Sequence, residues 1–236
     1  MNSQPDPGAG KLSIIIPAYN ESQTIRQLSE KLLTLESKKE IIVVDDGSTD
    51  GTREILEGLV HPDLKVVRHP SNRGKGAAIQ TALSHCGGDF ILIQDADLDQ
   101  EAQLLEELLR PVREKNAGVV FGSRFLGQKP KMKKLNYWAN RFLSFFASLL
   151  YGKNISDIET CFKVFRSDIL RSIKLRSQSF TFEVEVTAKI LKKGFEITEI
   201  PIREEWYREN YHASKKLCWV DGVKAFAALA YYRFFD

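Results

Sequence analysis

The sequence predicts an α/β fold, built on a mostly parallel β-sheet with helices on both of its faces. In the first half, short apolar runs rich in β-branched residues alternate with segments whose apolar positions recur at helical spacing. The apolar runs are continuous, as is typical of strands that are buried on both faces. Polar, glycine-rich or charged clusters follow the first five runs, where open α/β sheets bind their ligands.

The first predicted strand spans residues 12–16, where a β-branched apolar run ends at Pro17. A helix at 22–35 follows, because apolar residues between Ile25 and Leu35 recur at helical spacing. The alternation then continues in the same way. Further strands are predicted at 40–44, 64–67, 89–93 and 117–121, and helices at 51–60, 75–85 and about 101–115.

The second half begins with a basic run at 129–134 and continues into an aromatic-rich helix at 136–150. Polar residues form a narrow stripe at i, i+4 spacing on this wide apolar helix; they are Asn136, Asn140, Ser144 and Ser148. A helix near 182–193, a strand at 195–200 and a closing amphipathic helix complete the chain. We therefore predict a single domain over 11–236, in which 126–236 elaborates the sheet begun by 11–125.

Composition limits the class of protein. The 236 residues are 43% hydrophobic and 28% charged, as is usual for a globular protein, and the net charge of +3 gives no support to a nucleic-acid partner. Three widely spaced cysteines indicate reduced thiols in an intracellular protein. Residues 1–10 are polar and lack the core of a signal peptide, so we expect a short disordered lead. No segment reaches the ~20 apolar residues of a membrane-spanning helix.

The fourth apolar run ends in three acids at alternate positions, Asp95, Asp97 and Asp99. Alternate residues of an extended strand point the same way, so the three carboxylates are expected on one face. Carboxylates so close together repel each other unless a cation lies among them, and a divalent cation is the usual partner. The alternative is a solvated acidic turn.

Two further strand ends carry candidate binding groups. Of Asp45 and Asp46, which face opposite ways, one can accept hydrogen bonds from a base or ribose while the other braces the turn. Residues 72–76 form a glycine-rich helix entry with two cations, which favours an anion but does not match the Walker pattern. Arg124 and Arg208 add cations beside the predicted crevice.

Motifs for a protein nucleophile are missing. There is no G-x-S-x-G and no paired Cys/His arrangement, and none of the four histidines lies in a motif loop. We expect each of them at the surface or at a helix end; they are His61, His69, His85 and His212. A reaction that needs no protein nucleophile fits such a site.

The motifs PAYNE, VVDDGSTDGT, NRGKGAA, QDADLDQ and GSRF, in this order, resemble those of the inverting family 2 glycosyltransferases of GT-A fold. SDIETCFKVFR, FTFEVEVTAKI and ITEIPI, followed by an Arg and a Ser-Lys pair, resemble the dolichol-phosphate mannose synthase branch and its bacterial polyprenyl-phosphate relatives. The resemblance covers about residues 11–220. Each motif alone is unspecific, but the combination is specific.

The resemblance implies a role for several residues. It implies nucleotide binding by Pro17, Tyr19, Glu21, Val44 and Asp46, and contact with ribose, diphosphate and metal by Asp95, Ala96 and Asp97. Asp99 stands where the family often has Gln; it can still ligate Mg²⁺ or Mn²⁺, although the preferred ion is left open. The resemblance also places Arg124 near the acceptor phosphate, and Arg208 and Lys215 over the diphosphate. The loop is one residue longer than in the family, so Lys216 is an alternative to Lys215.

The resemblance further implies transfer of a hexose from a nucleotide-sugar donor to a polyprenyl or dolichyl phosphate, with inversion. GDP-mannose is favoured on resemblance, and a UDP-hexose stays open. A phosphate oxygen is anionic at neutral pH and attacks without a general base, so catalysis rests on positioning and charge stabilisation. A soluble acceptor would need a base, for which Asp99, Glu159, Glu183 and Glu185 are candidates. An inactive binding subunit is the alternative of another class.

The basic run at 129–134 and the 136–150 helix suggest peripheral contact with an anionic membrane, on its cytoplasmic face. The alternative is that the helix packs on the sheet or on a second copy of the chain. The sequence leaves open a membrane partner subunit.

Overall fold

The structure is a computed structural model that describes residues 10–96, 98–100, 102–127, 130, 132–179, 181–203, 207–209 and 219–236. For 98–100, 102–103, 207–209 and 219–221 the backbone alone is described. The predicted lead at 1–10 lies outside the described residues except for Gly10, as do Asp97 and Lys215.

Seven strands form the main sheet: β1 (Leu12–Ala18), β2 (Lys39–Asp45), β3 (Leu64–Arg68), β4 (Phe90–Ile93), β6 (Val119–Ser123), β7 (Lys163–Arg166) and β8 (Thr198–Pro201). Their spatial order is β3-β2-β1-β4-β7-β6-β8. β7 is antiparallel to both of its neighbours, whereas the other pairs are parallel. A separate ribbon pairs β5 (Leu98–Gln100) with β9 (Tyr207–Glu209). The predicted mostly parallel sheet is confirmed.

The described residues form eight helices: α1 (Ile25–Leu33), α2 (Thr52–Glu57), α3 (Lys75–Leu83), α4 (Ala102–Lys115), α5 (Lys134–Tyr151), α6 (Ser167–Ser172), α7 (Phe182–Lys192) and α8 (Trp219–Phe234). The predicted helices are present, with ends that differ by a few residues. The predicted strand at 195–200 is observed at Thr198–Pro201. The sequence analysis predicts neither β7 nor α6.

The core has a layer on each side of the sheet. Ile14 and Ile16 of β1 pack in one layer with α1, α2 and α4, whereas Ile15 packs in the other with α3, α6 and α7. Because successive strand residues point to opposite faces, a continuous apolar run is what a doubly covered strand requires. A third cluster joins α5, α7 and α8, so α7 belongs to both the sheet layer and this outer helical layer.

The polar stripe of α5 faces inward. The buried Ser144 hydroxyl accepts a hydrogen bond from the Ile158 amide at 3.1 Å, and the Ser148 hydroxyl accepts one from the Ile155 amide at 3.0 Å. The opposite face of α5 is exposed and apolar; it carries Leu135, Trp138, Phe142, Phe145 and Leu149. Among the described helices, none is long and apolar enough to cross a membrane.

Candidate active site

The carboxyl ends of β1 and β2 form one wall of the predicted crevice. Pro17 and Val44, both assigned to the nucleotide, are paired in register on adjacent strands. The loop that follows β1 is tied to the loop that follows β2, because the Asn20 amide donates to Ser48 Oγ at 3.0 Å and the Glu21 amide donates to Thr52 Oγ1 at 2.8 Å. Glu21 is buried, whereas Tyr19 is exposed at the rim.

The two acids at the end of β2, Asp45 and Asp46, each brace a loop. The buried Asp45 accepts hydrogen bonds from the Ser48 amide at 2.9 Å and from Arg53 Nε at 3.3 Å. Asp46 accepts from the amides of Arg73, at 3.0 Å, and Gly74, at 2.7 Å. Asp46 therefore holds the glycine-rich entry of α3 against the end of β2, with both of its oxygens engaged within the chain.

The position of His69 differs from the predicted one. It was expected at the surface or at a helix end, but it is only 3% exposed, with Nδ1 at 2.5 Å from Asp46 Oδ1 and Nε2 at 2.9 Å from Thr81 Oγ1. The sequence placed it outside the motif loops, yet the end of β3 lies beside the end of β2, and this brings the imidazole to the Asp46 carboxylate. His61 and His85 are partly exposed, and His212 lies outside the described residues.

The end of β4 brings acids and lysines together. Asp95 Oδ1 lies 2.7 Å from the ammonium of Lys75, the first residue of α3. The same ammonium donates to Glu183 Oε1, on α7, at 2.8 Å. The other oxygen of Glu183 accepts a hydrogen bond from Lys163 on β7. Ala96, which the resemblance assigns to the donor, is buried next to Asp95.

The pKa values in this cluster follow from the ion pairs. Burial alone would lower the pKa of Lys75, but Asp95 and Glu183 outweigh burial and hold it well above its ordinary value. Burial likewise would raise the pKa of Glu183, but Lys163 and Lys75 lower it. Lys75 and Glu183 are therefore both charged at neutral pH.

Arg124 follows β6 and forms a two-pronged ion pair with Asp157. Nε and one terminal nitrogen of the guanidinium each lie 2.8 Å from an Asp157 oxygen, and the Arg124 amide donates to the same carboxylate at 3.0 Å. Asp157 is fully buried, and such bidentate geometry fixes the direction of the guanidinium. Asp157 was not singled out by the sequence analysis, although it lies in the quoted SDIETCFKVFR motif.

The four candidate bases differ in burial and in hydrogen-bond partners. Glu185 is fully buried and accepts from the amides of Arg176 and Ser177, at 2.8 and 2.7 Å, and from Lys189, whereas Glu183 is held by two lysines. Glu159 is partly exposed; burial of its carboxyl and the nearby Glu183 raise its pKa to about 7. The side chain of Asp99 is not described.

The ribbon of β5 and β9 joins two predicted ligand-binding segments. The backbone positions of Asp99 and Arg208 are directly opposite each other in its antiparallel register. The predicted metal-binding strand and the predicted diphosphate-binding strand are therefore hydrogen-bonded neighbours.

The described side chains contain no group of three His, Cys, Asp or Glu residues that would hold a metal by itself. Asp97 lies outside the described residues, and the side chain of Asp99 is not described. The predicted donor set consists of carboxylate oxygens, which are the ligands that Mg²⁺ and Mn²⁺ prefer. The chemistry of the strand end therefore fits such an ion.

The chain matches a known protein family over more than half of its length. The family model described as "Glycosyl transferase family 2" matches residues 13–174. A dolichyl-phosphate beta-glucosyltransferase of Trichomonas vaginalis is 30% identical over 218 residues, covering 85% of this chain and 67% of that protein. A glycosyltransferase of Haloferax volcanii is also 30% identical, and the match covers 84% of this chain and 63% of that protein. This chain therefore spans about two thirds of the length of these relatives.

A glucosyl-3-phosphoglycerate synthase from Mycobacterium tuberculosis, solved with Mn²⁺, UDP and phosphoglyceric acid, superposes with a TM-score of 0.75 at 17% identity. That match covers 96% of this chain and 80% of the other. At this identity the likeness establishes the fold.

Proposed function

The chain belongs to glycosyl transferase family 2, and from that premise we propose that it moves a hexose from a nucleotide-sugar donor to a polyprenyl or dolichyl phosphate, with inversion and with the help of a divalent metal. The observation that carries this proposal is the charge arrangement at the end of β4, where Lys75 lies 2.7 Å from Asp95 Oδ1. The Asp95 carboxylate lies there at the predicted crevice, where it could hold the cation that a nucleotide diphosphate requires.

Two donors are supported by different observations. The motif resemblance favours GDP-mannose, whereas the name of the Trichomonas vaginalis relative favours a glucosyl donor. In either case, Pro17, Tyr19, Glu21, Val44 and Asp46 are the proposed nucleotide contacts. Asp46 would act there partly by holding the glycine-rich loop, because its oxygens already accept the Arg73 and Gly74 amides.

The proposed reaction is an in-line displacement at the anomeric carbon. The acceptor phosphate oxygen attacks, the bond to the nucleotide diphosphate breaks, and the anomeric configuration inverts. Asp97 and Asp99, with Asp95, would hold Mg²⁺ or Mn²⁺, which supplies charge stabilisation to the departing diphosphate. Arg208 and Lys215 are proposed to bind the same diphosphate, and Arg124, oriented by Asp157, is proposed to attract the acceptor phosphate. An anionic acceptor also agrees with the engagement of Glu183 and Glu185 in internal contacts.

The first test is calorimetric titration of GDP, GDP-mannose, UDP and UDP-glucose, each with and without Mn²⁺ or Mg²⁺. We expect metal-dependent binding of one nucleotide family and its loss in Asp97→Ala. Product formation with a polyprenyl phosphate would then establish the acceptor. A folded protein that binds none of the four nucleotides would contradict the proposal and favour the inactive binding subunit.

A soluble hydroxyl acceptor is the second candidate, and Glu159 is the observation that favours it. A general base works best when its pKa lies near the working pH, and that of Glu159 is raised to about 7. If Glu159 is the base, Glu159→Gln should abolish turnover with a hydroxyl acceptor. If the acceptor is a lipid phosphate, turnover with that phosphate should survive the same substitution.

We also propose that the exposed side of α5 and α8 rests on the cytoplasmic face of an anionic membrane. Besides the apolar face of α5, α8 exposes Val223, Tyr231 and Phe234, and the exposed Phe235 directly follows it. Lysines and arginines flank this surface at Lys133, Lys134, Arg141, Lys153, Lys224 and Arg233. Exposed aromatic residues beside basic ones suit the headgroup region of an anionic bilayer.

The membrane proposal is tested by sedimentation with anionic vesicles at low and high salt. Phe142→Glu with Phe145→Glu should abolish binding. Val60→Glu, which changes an even more exposed apolar residue outside α5 and α8, should leave binding intact. Wild-type protein that binds no vesicle would contradict the proposal, and self-association through this face would instead appear as a dimer in solution.

A further inference from the structure

Four charges of alternating sign, two of them buried and two partly buried, run from the interior to the end of β4. They are Lys163 on β7, Glu183 on α7, Lys75 at the start of α3 and Asp95 after β4. Their side chains are 1%, 6%, 11% and 20% exposed, in that order. Exposure therefore rises steadily toward the crevice, and only the Asp95 end approaches a position where a ligand can bind.

The two central members are each shared between two partners. The Lys75 ammonium lies 2.7 Å from Asp95 and 2.8 Å from Glu183, and Glu183 uses its other oxygen for Lys163. Lys163 also donates to the Ile158 carbonyl at 3.3 Å and lies 4.9 Å from the centre of the Phe121 ring, so its position is fixed by the sheet interior. An ammonium has three donor hydrogens, and two of those on Lys75 are directed at carboxylates.

Sharing changes what Asp95 offers to a ligand. If Lys75 were paired with Asp95 alone, its full charge would neutralise the acid at the strand end. Because the Glu183 carboxylate partly neutralises the Lys75 ammonium, Lys75 neutralises Asp95 less fully. The Asp95 carboxylate therefore attracts a cation more strongly. In a partly buried site such differences are large, since the local dielectric constant is well below that of water.

We propose that Glu183 is a positioning residue of the donor site, which acts through Lys75 to keep Asp95 available to a divalent cation. This inference rests on the proposed function. The Glu183 carboxylate contacts Lys75 and Lys163. It acts on the ammonium that competes with the metal for Asp95.

Glu185 provides the matched control, because it differs from Glu183 in one respect that matters. It lies on the same helix, is fully buried, and is paired with a lysine, Lys189, at 2.9 Å. Its other hydrogen bonds are with the amides of Arg176 and Ser177 and with the Tyr232 hydroxyl, and no contact joins it to Lys75 or Asp95 among the described residues. A loss of stability alone should therefore appear in both variants, whereas a loss of cation affinity should appear in one.

The test measures Mn²⁺ affinity by electron paramagnetic resonance of the free ion, in the presence of GDP or UDP, whichever the wild type binds. The variants are Glu183→Gln, Glu185→Gln, Lys75→Met and the Lys75→Met/Glu183→Gln double variant, with thermal unfolding of each recorded alongside. This readout is independent of turnover.

We expect Glu183→Gln to weaken Mn²⁺ binding about tenfold and Glu185→Gln to change it by less than about twofold. Lys75→Met should tighten Mn²⁺ binding, because it removes the competing cation. In the Lys75→Met background, Glu183→Gln should have no further effect, since the residue through which it acts is gone.

Three outcomes would overturn the inference: equal effects of the two glutamate substitutions, an unchanged Mn²⁺ affinity in Glu183→Gln, or a persistent Glu183→Gln effect in the Lys75→Met background. If Glu183→Gln alone does not fold, Lys163→Met/Glu183→Gln removes both charges of the inner pair and must show the same loss of Mn²⁺ affinity. Wild-type protein that binds neither nucleotide nor Mn²⁺ would instead contradict the proposed function itself.

Discussion

The carboxylate of Asp46 connects the ends of β2 and β3 to the entry of α3. It accepts the amides of Arg73 and Gly74 and contacts His69, and it is 3% exposed. Removing it leaves several buried polar groups without a partner, which is among the costliest single changes a protein can suffer. The residue therefore shapes the crevice whether or not it touches a nucleotide.

We predict that Asp46→Ala lowers the free energy of unfolding by about 2–4 kcal/mol. Urea denaturation followed by circular dichroism measures this directly. Asp63→Ala is the control, because the Asp63 side chain is 46% exposed and lies 3.9 Å from its His61 partner, so its loss should cost less than about 1 kcal/mol. Equal costs for the two substitutions would show that Asp46 does not organise the loop.

Glu159 gives a prediction about pH. Burial and Glu183 raise its pKa to about 7 from 4.5, so between these values the folded protein keeps a proton that the unfolded chain has lost. Stability should therefore fall as the pH rises from about 5 to about 8, and stay level above that range. The wild type should lose roughly 2–3 kcal/mol relative to Glu159→Gln across this interval. Parallel pH profiles of the two proteins would contradict the raised pKa.

Individual site residues could be predicted where their position in the chain is enough. Asp95, Arg124 and Asp46 all follow strands, and strand ends can be located from apolar runs. Lys163 and Glu183 could not be predicted as a pair, because β7 and α7 supply one charge each and nothing in the local sequence links them. The signal, visible afterwards, is a lysine inside the otherwise apolar run FKVF.

The entry of α3 has glycines because another segment of the chain lies against it. A Cβ on Gly74 or Gly76 would overlap the carbonyl oxygen of Gln178 or Ser177. Gly74 also has a φ of +95°, which residues other than glycine rarely adopt. The glycine-rich motif was interpreted as an anion-binding entry, and the structure adds a packing reason for the same residues.

We predict that Gly74→Ala destabilises the protein by about 3 kcal/mol or more, from backbone strain plus steric overlap. Gly51→Ala is the control, because Gly51 has a φ of +93° but nothing lies within 4 Å of the position its Cβ would take. That substitution should cost only about 1–2 kcal/mol. Urea midpoints of the two variants give the comparison, and a Gly74→Ala cost no larger than that of Gly51→Ala would exclude the packing role.

Two elements show why local patterns were incomplete. β7 has four residues with a basic residue at each end, so its apolar content is too small to mark a strand. It is nevertheless stabilised by pairing with β4 and β6 on either side. In α5 the pattern identified a polar stripe correctly, but the direction it faces depends on the 155–158 loop, whose amides Ser144 and Ser148 accept.

The two halves of the chain share one sheet. Strands β1 to β4 and β6 lie within 11–125, whereas β7 and β8 come from 126–236, and β7 is inserted between β4 and β6. The alternation of strands and helices predicts the parallel part of this arrangement, but the order of strands depends on pairings between residues that are far apart in sequence. The Lys75–Glu183 contact joins the halves a second time, at the site itself.

Two halves that share one sheet should unfold in one transition. Removing the second half would leave both β4 and β6 without β7, and α7 covers the sheet face that is lined by Ile15, Ile42 and Val44. Neither half therefore keeps a closed core when the other unfolds. We predict that residues 11–125 and 126–236 lose their structure together in urea, as two-state unfolding requires.

Each half offers its own probe for this test. All three tryptophans, Trp138, Trp206 and Trp219, lie in the second half, so their fluorescence follows that half alone. The thiol of Cys86 is buried in the first half, and its labelling rate as urea increases follows that half. We expect the same midpoint from both probes and from circular dichroism of the whole chain. Separate midpoints would mean that the helical layer of α5, α7 and α8 unfolds by itself. In that case α7 would stabilise the sheet less than the burial of Phe182, Val186 and Ile190 against it indicates.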